Sequence, residues 1–168
     1  MENGPQIEAL LRRFNAELLS SDSATRVLER WFASPIAALR LQGPAKPLPA
    51  EHAQRLRLLA GEQILHRRVN LVAKGQVLCV AENWYIPERL TVEMNRALEH
   101  TTTPFGYVIA PLKPRRQTLS VITFWPDAQG GLDDAVMLEH RTVLTAADGR
   151  ALSVVHEAYT KQIFRVAG

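Results

Sequence analysis

Residues 66–87, HRRVNLVAKGQVLCVAENWYIP, decide the fold. Two runs rich in Val and Leu flank Lys74-Gly75, and a glycine in a two-residue loop supplies the positive φ that a tight hairpin turn needs. The stretch therefore reads as a pair of long antiparallel strands. Pairing the arms about that turn sets Arg68 opposite Ala81 and Arg67 opposite Glu82. Side chains alternate across a strand, so Val69, Leu71, Leu78, Val80 and Trp84 share one face with Arg67 and Glu82. Arg68, Asn70, Cys79 and Asn83 share the other. The first face reads as core. The second carries polar groups suited to a half-buried pocket, with Arg68 in mid-strand as an anion anchor. Most arginines are exposed, so a solvated or ion-paired Arg68 stands beside that reading.

Working outward toward the C-terminus, Pro87 stops the strand and residues 91–98 have helical spacing, with Leu90, Met94, Ala97 and Leu98 as the apolar stripe. Thr101–Gly106 is turn-rich. Thr118–Trp125 reads as a strand, followed by a loop around Gly130-Gly131. A second hairpin closes the chain: Met137–Ala146 and Ala151–Phe164 flank Asp148-Gly149, a strong hairpin signal. Its pairing puts Glu157 opposite His140, with Thr142, Ser153 and Tyr159 on the same face.

Toward the N-terminus, Ile7, Leu10, Leu11, Phe14 and Leu18 recur at helical spacing over residues 6–19. A second helix, capped by Asp22 or Ser23, presents Val27, Leu28, Trp31 and Phe32 and ends at Ser34-Pro35. Pro35, Pro44, Pro47 and Pro49 mark an irregular connection in which Ile36–Leu41 has room for a short strand. The expected organisation is one domain: N-terminal helices over residues 1–34, a proline-rich connection over 35–60, and a sheet-forming part over 61–168. Helices first, then hairpins and one crossing helix packed on them, give the α+β class with an antiparallel sheet, not the strand–helix alternation of a parallel one.

Composition narrows the function. The 168 residues carry 46% hydrophobic and 22% charged side chains, the balance of a soluble globular domain. A net charge of +3, spread along the chain, suits a small anionic ligand as well as a nucleic acid and decides little between them; the partner expected is a small anionic ligand, with no nucleic acid. The single Cys79 excludes an internal disulfide. No long apolar run or leader is present, so the expectation is a cytoplasmic monomer or homodimer with no membrane partner. The five histidines show no metal-ligand spacing, and P-loop, dinucleotide and nucleophile-elbow motifs are absent, so no metal and no cofactor is expected. Arg115-Arg116 reads as a solvated strand entrance. What remains is Arg68 and Glu157, in different hairpins. A carboxylate within a sheet is costly unless paired, hydrogen-bonded or protonated, and if both residues face one cavity they make a site that binds an anion at one end and handles a proton at the other.

Four stretches carry a resemblance. They are Leu18–Thr25, the hairpin from Arg68 to Pro87, Thr103-Pro104-Phe105-Gly106, and Val154–Tyr159. In this order the chain resembles the chorismate pyruvate-lyase (4-hydroxybenzoate synthase) family, whose fold is similar to the ligand-binding domain of one class of bacterial regulators. The resemblance implies elimination of pyruvate from chorismate, or from a related carboxylated cyclic substrate, without metal or organic cofactor. Carried over, Arg68 binds a substrate carboxylate and Glu157 is the acid/base group. The backbone N–H of Phe105 donates to a ligand oxygen, and Ala24 lines the pocket. Where well-studied members carry Gly-Arg, this chain has Glu82-Asn83, so Asn83 replaces a second arginine as a substrate contact. The rival implication is a non-catalytic module of the same fold that binds an aromatic carboxylate. Two helices and a proline-rich connection before the hairpin are too little for a DNA-binding domain and linker.

Overall fold

A computed structural model describes residues 4–124 and 136–164. Among them, six strands form one antiparallel sheet: β1 (Ala37–Arg40), β2 (Leu65–Ala73), β3 (Gln76–Tyr85), β4 (Arg115–Thr123), β5 (Val136–Thr145) and β6 (Ala151–Thr160). Their order across the sheet is β1-β2-β3-β6-β5-β4. Two hairpins, β2–β3 and β5–β6, thus join through their second strands, and all pairs are antiparallel. The α+β architecture expected from the helix-then-hairpin pattern is the one observed.

Helices α1 (Gly4–Ser20) and α2 (Ala24–Phe32) precede the sheet. α2 starts at Ser23, whose side chain accepts from the Arg26 backbone N–H, as the capping preference of serine predicts. Ile7, Leu11, Phe14 and Leu18 of α1 join Val27, Leu28 and Phe32 of α2 against the sheet residues Val69, Leu71, Leu78 and Tyr159. A second cluster on the same face is covered by α4 (Val92–His100) and the short α5 (Phe105–Val108). There Leu90, Met94, Leu98 and Phe105 pack on Tyr85, Leu144 and Val155.

The opposite face is covered by the proline-rich connection, which contributes β1 and the single-turn helix α3 (Ala53–Leu56). Leu48, Leu56 and Ile64 pack there on Trp84, Ile86, Val143 and Val154. Arg89 locks this strap down. Its guanidinium donates to the carbonyls of Leu56 (2.9 Å), Arg57 (2.8 Å) and Ala151 (2.7 Å), and to both oxygens of Glu62. Trp84 Nε1 adds a bond to the Lys46 carbonyl at 3.0 Å.

The first hairpin departs from the expected register. Lys74 and Gly75 do form the turn, both with positive φ (51° and 76°) as a type I′ loop requires, and Ala73 pairs with Gln76. Val72 pairs with Val77, but Leu71 then pairs with Cys79, leaving Leu78 as an extra residue in a bulge. From there on the register is shifted by one: Val69 lies opposite Ala81, Arg68 opposite Glu82, and Arg67 opposite Asn83. A shift of one moves every side chain of the second arm to the other face relative to the first. The second hairpin pairs Thr145 with Ala151 at the turn, where a two-residue loop would give Leu152, but an irregularity beside Leu144 restores the expected register and puts His140 opposite Glu157. β4 begins at Arg115, three residues earlier than the expected start at Thr118, and a helical turn, α5, occupies the end of the turn-rich stretch. Trp125 and the Gly130-Gly131 loop lie outside the described residues.

Candidate functional site

The bulge decides which arginine enters the interior. Arg67, Val69 and Leu71 of β2 and Ala81 and Asn83 of β3 point to the face covered by the helices, where Glu157 of β6, opposite Ala81, also points. Arg68 points the other way. It is exposed and borders the loop of residues 41–46 on the far side. The expected anchor at Arg68 is therefore corrected: the arginine that shares a cavity with Glu157 is Arg67, which is 2% exposed. The other expected residues converge. Ala24 at the start of α2, Asn83, Phe105 and Glu157 all line that cavity. Phe105 is the first residue of α5, so its N–H makes no bond within the helix.

Arg116 completes the cavity and was missed. Taken as a solvated strand entrance, it lies instead inside the β4–β5 ladder opposite Leu144, and its side chain is 3% exposed. One Nη donates to Glu157 Oε1 in a buried ion pair. Burial works against the Arg116 charge, but the adjacent Glu157 carboxylate more than offsets it, and the guanidinium pKa is raised. Its Nε has no hydrogen-bond partner among the described residues.

Arg67 is less well served. Its Nε and Nη1 are buried without a partner among the described residues, and burial lowers its pKa. Arginine stays protonated throughout the ordinary pH range, so this is a buried guanidinium with open donors. Leaving a buried donor unpaired costs about 1–3 kcal/mol, and more for a charged group.

The surrounding titratable groups are neutral near pH 7. His140, opposite Glu157, donates from Nε2 to Asn15 Oδ1 at 2.7 Å, and its Nδ1 is buried without a partner. Burial, partly opposed by Glu157, pushes its pKa down to about 4. Burial, with Glu157 adding to it, raises the Tyr159 hydroxyl and the Cys79 thiol. The enclosed charge is thus two guanidinium groups and one carboxylate.

The cavity is small, about 50 Å³, against the roughly 300–1,000 Å³ of pockets for drug-sized ligands. Arg116 and Glu157, bonded to each other, form part of its lining. What is open suits a carboxylate head or a water or two. Among the described residues no group of three His, Cys, Asp or Glu side chains could hold a metal ion. No helix among them is long and apolar enough to cross a membrane.

Trp84 and Tyr107 do not line this cavity. Trp84 packs on the outer face between His66 and His156, with ring centroids 5.2 and 4.8 Å away. Tyr107 donates its hydroxyl to Glu29 at 2.5 Å.

Solved structures share this fold at low sequence identity. The effector domain of PhnF from Mycobacterium smegmatis matches with a TM-score of 0.60 at 16% identity, over 84% of this chain and 90% of that one. The ligand-binding domain of a regulator assigned to the GntR family in Bordetella bronchiseptica matches at 0.52 and 18%, over 76% and 84%. YydK of Bacillus subtilis matches at 0.50 and 16% over 76% of this chain, which spans 58% of that protein. The fold is thus the chorismate lyase-like fold of regulator effector domains. No family model matches the sequence. A protein of Sinorhizobium fredii is 34% identical over 92% of this chain and 75% of its own length, and the chain belongs to the family of that protein, the uncharacterized y4mC.

Proposed function

We propose that this protein is a small-molecule binding domain that takes an anionic, carboxylate-bearing ligand on Arg67. The observation that carries the reading is the pair of open donors on a buried guanidinium lining a cavity. A carboxylate matches the planar fork of Arg67 in a bidentate pair, which is the strong form of that bond. Asn83, directly opposite Arg67, adds a polar contact, and the Phe105 N–H adds a donor from the opposing wall. The fold is the one used by the effector domain of PhnF and the ligand-binding domain of the Bordetella regulator, which supports binding as the role. Entry of an aromatic ring behind the carboxylate requires the wall at Ala24 and Phe105 to move outward. These two belong to α2 and α5, which pack on the sheet and are not strands of it.

A second reading is the lyase: elimination of pyruvate from chorismate to give 4-hydroxybenzoate, with Glu157 as acid/base group. It is favoured by the position of Glu157, which lines the same cavity as Arg67. It is weakened by the Arg116 ion pair, since a carboxylate so engaged accepts hydrogen bonds and has no proton to give.

The test is a thermal-shift series with benzoate, 4-hydroxybenzoate and chorismate, followed by assay of the chorismate sample for pyruvate. Binding without turnover gives a rise in Tm that grows with ligand concentration and no pyruvate. No shift with any carboxylate contradicts the binding role. Pyruvate release at a rate that Glu157→Gln abolishes makes the lyase reading the correct one.

A further inference from the structure

Resting on that binding role, we infer that the cavity selects singly charged carboxylates over dicarboxylates, because Glu157 already acts as the internal counter-ion of one of its two arginines. The inference comes from the charge balance of the enclosed space. Arg67 enters from β2, Arg116 from β4 and Glu157 from β6, and all three line the same cavity. Glu157 is bonded to Arg116, whereas Arg67 keeps Nε and Nη1 open. Two guanidinium groups and one carboxylate leave a single net positive charge, and one ligand carboxylate neutralises it. A second ligand carboxylate adds a negative charge with no free cation to receive it. It must either compete with Glu157 for Arg116 or sit beside Glu157 as a like charge in a poorly solvated space.

The other groups facing this space do not alter the count. His140 of β5 is neutral, as are Tyr85 and Cys79 of β3 and Tyr159 of β6. Asp22, at the mouth between α1 and α2, and Arg40, at the end of β1, are exposed and screened by water. A doubly charged ligand is therefore accommodated only by breaking the Arg116–Glu157 pair, so that Arg116 can meet the second carboxylate. Arg116 and Glu157 together are thus the specificity device of the site. Asn83, opposite Arg67, carries no charge, which leaves Arg116 as the only other cation lining the cavity among the described residues.

The experiment is calorimetric titration of the whole chain with 4-hydroxybenzoate and with terephthalate, two ligands of similar size carrying one and two carboxylates. The expected result is that terephthalate binds at least tenfold more weakly than 4-hydroxybenzoate at pH 7, and that this penalty disappears in Glu157→Gln. Equal affinity of wild type for both ligands overturns the inference while leaving the binding role intact. Failure of wild type to bind either ligand overturns both. Because the affinity ratio is read on the wild-type protein, the conclusion does not hang on the folding of the variant.

Discussion

The two faces of the sheet each bury an arginine, and the two arginines are handled in opposite ways. Arg89 belongs to the strap side. Five hydrogen bonds consume its donors, two of them to Glu62, whose carboxyl is held down to about 2 chiefly by its bond to Arg89. Arg67 belongs to the helix-covered side and is buried as deeply, yet two of its nitrogens meet nothing among the described residues. A chain that satisfies one buried guanidinium in full can do so, and the open donors of the other are where a ligand would gain the most.

Removing each charge sharpens that contrast. Arg89→Met strands the Glu62 carboxylate and the carbonyls of Leu56, Arg57 and Ala151 at once. The expected loss is about 3–5 kcal/mol, or a fall in Tm on the order of 10 °C for a chain of this length. Arg67→Met replaces an unpaired buried charge by an apolar chain of similar length, and is expected to leave the unliganded protein within ~1 kcal/mol of wild type or above it. Denaturation curves of the two variants side by side decide the matter; a collapse of Arg67→Met comparable to that of Arg89→Met breaks the contrast.

A pH scan probes the site side more gently. The His140 pKa is about 4 in the folded chain, below its ordinary value of 6.5, so the unfolded chain binds more protons between these values. Stability therefore rises with pH across that window and is lost as pH falls through it, by at most about 3–4 kcal/mol. His52 and His156 are lowered by burial as well and act in the same direction. His140→Gln, whose amide can still donate to Asn15, is expected to flatten the curve between pH 6.5 and 4. On the strap side the depressed Glu62 carboxyl contributes stability that is lost lower, between about pH 4.5 and 2, and Arg89→Met removes that dependence. The smallest effect belongs to Arg68→Ala, an exposed change expected to alter stability by less than ~0.5 kcal/mol.

The sequence made the architecture legible because turn chemistry and apolar periodicity are local. Lys74-Gly75 and Asp148-Gly149 both lie in turns, and His140 lies opposite Glu157 as expected, once an irregularity beside Leu144 has offset the departure at Thr145. The site was half legible. Asn83, Phe105, Ala24 and Glu157 meet at one cavity, but the arginine was assigned one residue away because nothing in Val77-Leu78-Cys79 announces a bulge. A signal was present all the same. Arg67 alternates with Val69 and Leu71, so an arginine stood on the apolar face, where a charge is costly and so informative. Treating the polar face as the pocket inverted that inference. Arg116 was hidden for a different reason: with β4 drawn from Thr118, Arg116 fell outside the ladder, and its partner Glu157 is 41 residues away. Long-range ion pairs of this kind leave no local trace in a sequence.

The central claim is that Arg67, and not its neighbour, holds the ligand. Calorimetric titration of 4-hydroxybenzoate into wild type, Arg67→Met and Arg68→Ala tests it most directly. The account predicts matching affinities for wild type and Arg68→Ala, and no measurable heat of binding for a folded Arg67→Met. Undiminished binding by Arg67→Met, or its loss in Arg68→Ala alone, would contradict it.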